Sequence, residues 1–427
     1  MMITNKMNIW IFVLGEPIES DSDNIRLHRS GMLAKYLVNA GHKVTFWTSN
    51  VNHVTKKLRC TDTTVTKIND NYTEIKLAGR LYTKNISLSR VLHNIDVTKE
   101  FKKIVRDFQK PDIVITNYPI IELSEAVIDY AKKNNIPSIV DIRDFWPDIF
   151  YEVLPKSFNF LGNLLFWPWK IKAKNIIKNV TAVTGISDAA IRWARLKNNQ
   201  NMQQHDKSFP LAYENTTDFI FNKKLLDKNN IDPSKHHIFC FFGNLSKRIE
   251  LNTVVEAAKI IDKEDNKIIK FVICGTGEIF DSLKSEAKNC SSLILPGWIN
   301  KDEINTLLEV SRAGLLPYPS SLDFVRTYPN KVGEYLSKNL PILSSVDGEM
   351  KSLLKHWECG ITYDNNSPQS LVDAIKFIEK NEDYRETMSK NSKRCFKAKF
   401  DSREVYGNYL EFIESITKIA INDKIPD

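Results

Sequence analysis

The feature that most limits what this chain can fold into is a strict alternation of short apolar runs with amphipathic stretches. NIWIFVLG is followed by RSGMLAKYLVNAG and HKVTFWTS, and PDIVITN is followed by IELSEAVIDYAKKNN and IPSIVDIR. Short apolar runs bounded by turn residues are strands, and stretches whose apolar residues recur every three to four positions are helices. Strand and helix in regular alternation require right-handed crossovers and a parallel sheet covered on both faces. The sequence therefore predicts an α/β fold with a Rossmann-like, doubly wound domain over residues 1–212.

The pattern restarts after about residue 210 with HHIFCFFGN, TVVEAAKIIDKED, IIKFVICGTGE, SSLILPGW, AGLLPYP, NKVGEYLSKN and LPILSS. A second doubly wound domain is expected over 213–401, joined to the first through the polar, aperiodic NNQNMQQHDKSFPLAYENTTDF, with the boundary near Tyr213. A last helix within 402–427 follows the second sheet and is expected to cross back to the first domain. At 427 residues and 42% apolar composition, the chain exceeds one compact core and suffices for two. Two such domains facing each other across a cleft place ligands outside the carboxyl ends of their strands.

Six scattered cysteines form no C-x-x-C pair, which argues against a disulfide framework or a zinc site and for a reducing compartment. The opening MMITNKMNIWIFVLG reads as a first strand and not as a signal peptide, and no run approaches the ~20 apolar residues that span a bilayer. A formal net charge of +8 is compatible with an anionic partner. The basic residues form no aromatic-interleaved stripe, so nucleic-acid binding is disfavoured.

Three strand ends of the second domain combine glycine, hydroxyl and positive charge: FCFFGNLSKR, FVICGTGE and LLPYPSSLDFVRTYPNKVGEY. Gly243, Gly275 and Gly277 permit close approach of a ligand to the backbone, and Lys247 and Arg248 can neutralise phosphate oxygens. Taken alone, Gly275 and Gly277 are better read as ordinary turn glycines; taken with the other two loops, that reading weakens. Pro329 fixes a turn before a helical segment, so backbone N–H groups near Asn330 and Lys331 are expected to face an anion. Glu334 stands one turn inside that helix, where it either complements the helix dipole or accepts both hydroxyls of a ribose.

These stretches together, with PGWINKDEINTLLEVSRAGLLPYP, resemble the donor-nucleotide domain of the family 4 retaining glycosyltransferases of GT-B fold. LGEPIESDSDNIRLHRSGMLAKYLVNAGHKVTFWTS and DIRDFWPD resemble the subgroup found in bacterial surface-polysaccharide clusters, so the likeness covers nearly the whole chain. The resemblance implies that Glu334 binds the nucleotide ribose, that Lys247 and Arg248 bind the donor diphosphate, and that the backbone around Trp298 and Ile299 receives the base. Asn244, Tyr318, Arg326, Thr327, Tyr328, Asn330 and Lys331 complete the expected donor site. Two positions depart from the family's pattern. Arg326 stands where the first glutamate of the E-x7-E motif belongs, with Asp323 as a candidate replacement, and Asn244 takes the place of an arginine.

In the first domain, Gly15 and Glu16 end the first strand, and Arg26, His28 and Arg29 begin the first helix. Gly15, Glu16, Arg26 and Arg29 are the candidates for acceptor binding. Asp144 either orients the transferred sugar, joining Lys247, Arg248 and Glu334 as a catalytic group, or forms a buried pair with Arg143. The only D-x-D sequence, Asp21-Ser22-Asp23, reads as a solvated acidic turn, so no metal and no cofactor are expected. In KSFNFLGNLLFWPWKIKAKNIIKN (156–179), tryptophans stand beside Lys170, Lys172, Lys174 and Lys178, with a break expected at Pro168. The stretch is either an interfacial membrane segment or an amphipathic helix pair over the sheet.

The expectation is thus a glycosyltransferase that moves a sugar from a nucleoside diphosphate to a polyprenyl-diphosphate-linked saccharide. By the resemblance, it acts with retention at the cytoplasmic face of the inner membrane, in surface-polysaccharide synthesis. A UDP-sugar 2-epimerase and a catalytically silent nucleotide-sugar-binding subunit are the alternatives.

Overall fold

A computed structural model describes residues 6–22, 25–153, 159–215 and 218–422. The chain divides into two compact units, Met1–Pro210 with Val405–Asp427, and Leu211–Glu404.

The strands of the first unit are β1 (Asn8–Phe12), β2 (Lys43–Ser49), β3 (Val51–Asn52), β4 (Lys57–Leu58), β5 (Thr64–Asn69), β6 (Tyr72–Leu77), β7 (Ile113–Tyr118), β8 (Ser138–Ile142), β9 (Ala182–Gly185) and β10 (Lys207–Ser208). Eight of them form one sheet in the order β10-β9-β8-β7-β1-β2-β6-β5. Neighbours run parallel except β5, which pairs antiparallel with β6 at one edge. Its helices are α1 (Arg29–Asn39), α2 (Leu88–Ile104), α3 (Ile121–Lys133), α4 (Ile149–Val153), α5 (Asn159–Asn179) and α6 (Asp188–Leu196). Every residue of β7 and β8 is buried, as a sheet covered on both faces requires. On one face Phe12 stacks on Trp47 at 5.3 Å, and Phe101 from α2 meets both rings edge-on.

The second unit contains β11 (His237–Phe242), β12 (Ile269–Cys274), β13 (Leu293–Gly297), β14 (Ser311–Leu316), β15 (Ile342–Ser344) and β16 (Gly360–Thr362), in the order β13-β12-β11-β14-β15-β16. All the pairings are parallel. Its helices are α7 (Lys223–Lys228), α8 (Leu251–Lys263), α9 (Phe280–Ala287), α10 (Lys301–Val310), α11 (Leu322–Val325), α12 (Lys331–Ser337), α13 (Glu349–Trp357), α14 (Pro368–Lys380) and α15 (Glu382–Lys399). The last helix, α16 (Ser402–Asn422), begins in this unit and continues in the first, where Tyr409 stacks on Phe209 at 4.1 Å.

Each sheet reverses its winding once, between β1 and β7 in the first unit and between β11 and β14 in the second. In open α/β sheets, the crevice at such a reversal, outside the carboxyl ends of the strands, is where ligands bind.

Candidate functional site

In the second unit the loops after β11, β12 and β14 knit together at that reversal. Gly243 N–H donates to Cys274 O at 3.0 Å, Leu245 N–H to Thr276 O at 2.9 Å, and Glu250 N–H to Pro317 O at 2.8 Å. Gly275 adopts φ +135°, and a Cβ there would stand 1.8 Å from Gly243 O. Gly277 adopts φ +154°, and a Cβ would stand 2.4 Å from Leu245 O. These glycines let two loops lie against each other, so the ordinary structural reading of them holds regardless of any ligand.

Lys331, at the start of α12, reaches back across Gly243. Its Nζ donates to Tyr318 Oη at 3.0 Å and lies 4.9 Å from the centre of the Phe241 ring. Lys247 and Arg248 are exposed and pair with carboxylates, Lys247 with Glu278 at 3.3 Å and Arg248 with Asp323 at 2.6 Å. Glu334 lies in the first turn of α12, and Tyr335 beside it is buried, its hydroxyl donating to Leu315 O at 3.1 Å. Arg326 donates to Leu322 O at 3.2 Å and Thr327 Oγ1 to Asp323 O at 2.8 Å, which closes the short α11 turn. Tyr328 Oη donates to Glu349 at 2.9 Å. Trp298 is 70% exposed after β13 while Ile299 is buried, and Asn244 and Asn330 are exposed. The structure thus brings Gly243, Gly275, Lys331 and Tyr318 together, with Arg248 and Asp323 joined beside them.

In the first unit a buried charge network lies under the carboxyl end of the sheet. Arg29 binds Asp141 through two nitrogens at 3.0 and 3.1 Å, and also donates to Phe209 O and Pro210 O at 2.6 and 3.0 Å. Arg143 donates to the same Asp141 at 2.9 Å and to Glu16. Burial alone raises the Asp141 carboxyl, but Arg29 and Arg143 outweigh it and hold it at about 2. The second oxygen of Glu16 accepts from Ser30 N–H at 3.0 Å.

Four expectations are corrected here. Arg29 is 5% exposed and fully engaged inside the unit, so it is a structural residue and not an acceptor contact. Arg143 pairs with Asp141 and Glu16 and not with Asp144, whose Oδ1 accepts from Phe145 N–H at 2.8 Å. Asp21 is not a solvated acid: Arg59 grips it at 2.6 and 2.7 Å, and Asp23 lies outside the described residues. Pro168 does not break the chain, because α5 continues through it; residues 156–158 of that stretch lie outside the described residues. Arg26 and His28 are exposed just before α1.

Gly15 and Glu16 line a cavity of about 230 Å³ at the β1/β7 reversal, which also receives His53, Arg90, Asn117 and Trp146. The sequence reading missed Arg90 and His53, since nothing local in NISLSRVLHN or VNHVTKK marks them; only the fold carries both to the end of β1. Among the described residues no group of three or more His, Cys, Asp or Glu is arranged to hold a metal ion, and all six cysteines are free thiols.

Residues 222–395 match the family described as glycosyl transferases group 1. That segment is a group 1 glycosyltransferase domain. It lies within the second unit and contains all of the donor-side candidates described above. On this domain's account the chain is a glycosyltransferase. Among solved structures, sucrose-phosphate synthase from Thermosynechococcus elongatus aligns over 97% of this chain and 100% of its own, with a TM-score of 0.71 at 14% identity. Anabaena Alr3699/HepE in complex with UDP aligns over 96% and 100%, with a TM-score of 0.64 at 10% identity. WaaG, a glycosyltransferase involved in lipopolysaccharide biosynthesis, aligns over 95% and 99%, with a TM-score of 0.59 at 12% identity. No curated protein matches the sequence significantly. The two parallel-sheet units and these likenesses establish the GT-B fold.

Proposed function

We propose that the group 1 domain binds a nucleoside diphosphate sugar and that the chain transfers the sugar, with retention, to a polyprenyl-diphosphate-linked saccharide in bacterial surface-polysaccharide synthesis. The observation that carries the donor half is the convergence of Gly243, Gly275, Lys331 and Arg248 at the reversal point of the second sheet. As the glycosidic bond breaks, negative charge grows on the leaving diphosphate, and fixed cations at Lys247, Arg248 and Lys331 stabilise it without a metal. Glu334 accepts the ribose hydroxyls. UDP is the first nucleotide to try, because the Anabaena neighbour is described in complex with UDP and with UDP-glucose. WaaG, by its description a lipopolysaccharide enzyme, supports the polysaccharide setting.

The acceptor half rests on α5, in which Phe160, Leu164 and Trp167 are 79%, 68% and 61% exposed beside the lysines of the same helix. Their spacing puts them on one helix face, the form of an interfacial membrane helix. No helix among the described residues is long and apolar enough to cross a membrane, and we read the contact as a peripheral one, on the inner membrane.

Thermal-shift and calorimetric titration with UDP, GDP, dTDP and CMP test the donor half, since a ligand bound only by the folded state raises its stability. One nucleotide is expected to raise the melting temperature, and Glu334→Ala to weaken it by at least about tenfold. Unchanged affinity in that variant removes the ribose assignment. No response to any nucleotide removes the donor reading.

A further inference from the structure

At the reversal point of the first sheet, two cavities share a wall. One is the 230 Å³ chamber lined by Gly15, Glu16 and His53; the other, about 220 Å³, is lined mainly by apolar groups, among them Leu88, Val91, Phe150 and Trp169. Arg90 and Trp146 line both. Arg90 stands 5.2 Å from the centre of the Trp146 ring and 6.0 Å from that of Tyr82, and donates to Asn85 O at 2.6 Å. Among the described residues, no carboxylate lies within ion-pair distance of it; Asp144 and the Tyr82 hydroxyl act on it only through space.

Lys56 reaches the same place from the β3/β4 turn, its Nζ 5.3 Å from the Tyr82 ring and 3.2 Å from His53 Nδ1, again with no carboxylate within ion-pair distance. Lys56 itself adopts φ +56°, a backbone conformation that costs a β-carbon-bearing residue energy. Burial first, then Arg90 and Lys56, push His53 down to about 4, so the imidazole is neutral at pH 7 and adds no positive charge. Two cations gathered around one tyrosine, with no carboxylate in ion-pair contact, repel each other and lose hydration. A bound anion removes both costs.

We propose that Arg90 and Lys56 bind the phosphate of an amphiphile whose apolar chain lies in the neighbouring chamber, against Trp146, Trp169 and Leu88. The occupant is a prenyl phosphate, for three reasons. The Arg90 charge lies in the wall that the polar chamber shares with its neighbour. The adjoining chamber is apolar. The rim carries Ile86 and Leu88, 76% and 73% exposed, and α5, which supplies Trp169, also presents the exposed apolar face of Phe160, Leu164 and Trp167. The inference rests on the lipid-linked acceptor reading for its biological role, but not for its test.

Farnesyl phosphate, farnesol and inorganic phosphate are titrated into the full chain by calorimetry, with the nucleotide identified above as a separate ligand. Farnesyl phosphate is expected to bind at least about tenfold more tightly than either farnesol or phosphate alone. Arg90→Gln is expected to weaken farnesyl phosphate about tenfold and to leave the nucleotide affinity unchanged, which also reports that the variant is folded. Leu88→Ser, at an exposed position, is expected to weaken farnesyl phosphate severalfold and to leave inorganic phosphate unaffected. Equal binding of farnesyl phosphate and inorganic phosphate makes this a free-phosphate site and overturns the proposal. So does an Arg90→Gln variant that binds farnesyl phosphate as the parent does, or a chain that binds nucleotide but not farnesyl phosphate. Farnesyl phosphate binding without any nucleotide binding sustains this inference and removes the donor reading.

Discussion

Arg248 Nη2 lies 2.6 Å from Oδ2 of Asp323, and Oδ1 of the same carboxylate accepts from Ser321 Oγ at 2.6 Å. One residue proposed to hold the donor diphosphate is therefore neutralised by an internal carboxylate close to Arg326, where the family's pattern has a glutamate. A diphosphate must compete with Asp323 for Arg248. Asp323→Asn removes the competing charge and is expected to raise nucleoside diphosphate affinity about threefold, the scale of a partly exposed ion pair. Weaker binding in the variant, read by calorimetry, would show that Asp323 holds Arg248 in place for the ligand and does not compete for it.

Among the described glycines of the second unit Gly275 is the most tightly enclosed, a Cβ there falling 1.8 Å from Gly243 O, with φ at +135°. Gly275→Ala is expected to cost more than about 2 kcal/mol of unfolding free energy, because both the backbone conformation and the loop packing must change. Urea unfolding of the two proteins decides this; a loss within error of zero would mean that the loops part easily.

The Arg29–Asp141–Arg143 network makes a pH prediction. The Asp141 carboxyl is held at about 2, below its ordinary value of 3.8, so in the folded state it stays ionised where the unfolded chain would take up a proton. Its stabilisation is fully present above about pH 4 and is lost as pH falls through about 2, with a size of about 2 kcal/mol. Asp141→Asn should flatten that acid limb of the stability profile in chemical denaturation. It should also cost stability at neutral pH, because two buried arginines lose their shared counter-charge. An unchanged acid limb would assign it to other carboxylates.

Pro168 lies on the exposed side of α5, inside a helix it does not interrupt. Proline there withholds an N–H and crowds the preceding turn. Pro168→Ala is expected to stabilise the protein by about 2 kcal/mol, seen as a higher melting temperature. A lower one would mean that neighbouring packing depends on the proline's local bend.

Much of this architecture was legible from periodicity. Runs such as PDIVITN and HHIFCFFGN are apolar throughout because both faces of their strands are covered, and that alone separates a parallel sheet from an antiparallel one. The edge pair β5 and β6 escaped notice because TVTKIN alternates weakly and leaves half its residues exposed. Glycines 243, 275 and 277 were readable as a group, since a backbone requirement leaves a compositional mark. Charge partners were not. Arg29 and Asp141 are 112 positions apart. Whether an arginine near a strand end faces solvent or a buried carboxylate depends on which strand lies beside it. Arg90 was unreadable for the same reason: its setting is made by Tyr82, Trp146 and Lys56, from three separate segments.

The chain leaves the first unit after Pro210 and re-enters it at Val405, and the two connecting segments are tied side by side, Tyr213 N–H donating to Phe400 O at 2.8 Å and Ser402 N–H to Tyr213 O at 3.1 Å. The second unit is thus an insertion into the first, and Tyr409, which stacks on Phe209 and meets Thr184 Oγ1 at 2.9 Å, is made only after it. On the ribosome, the second unit has all of its sequence before the unit that encloses it does. Of the two units, the one begun first is completed second.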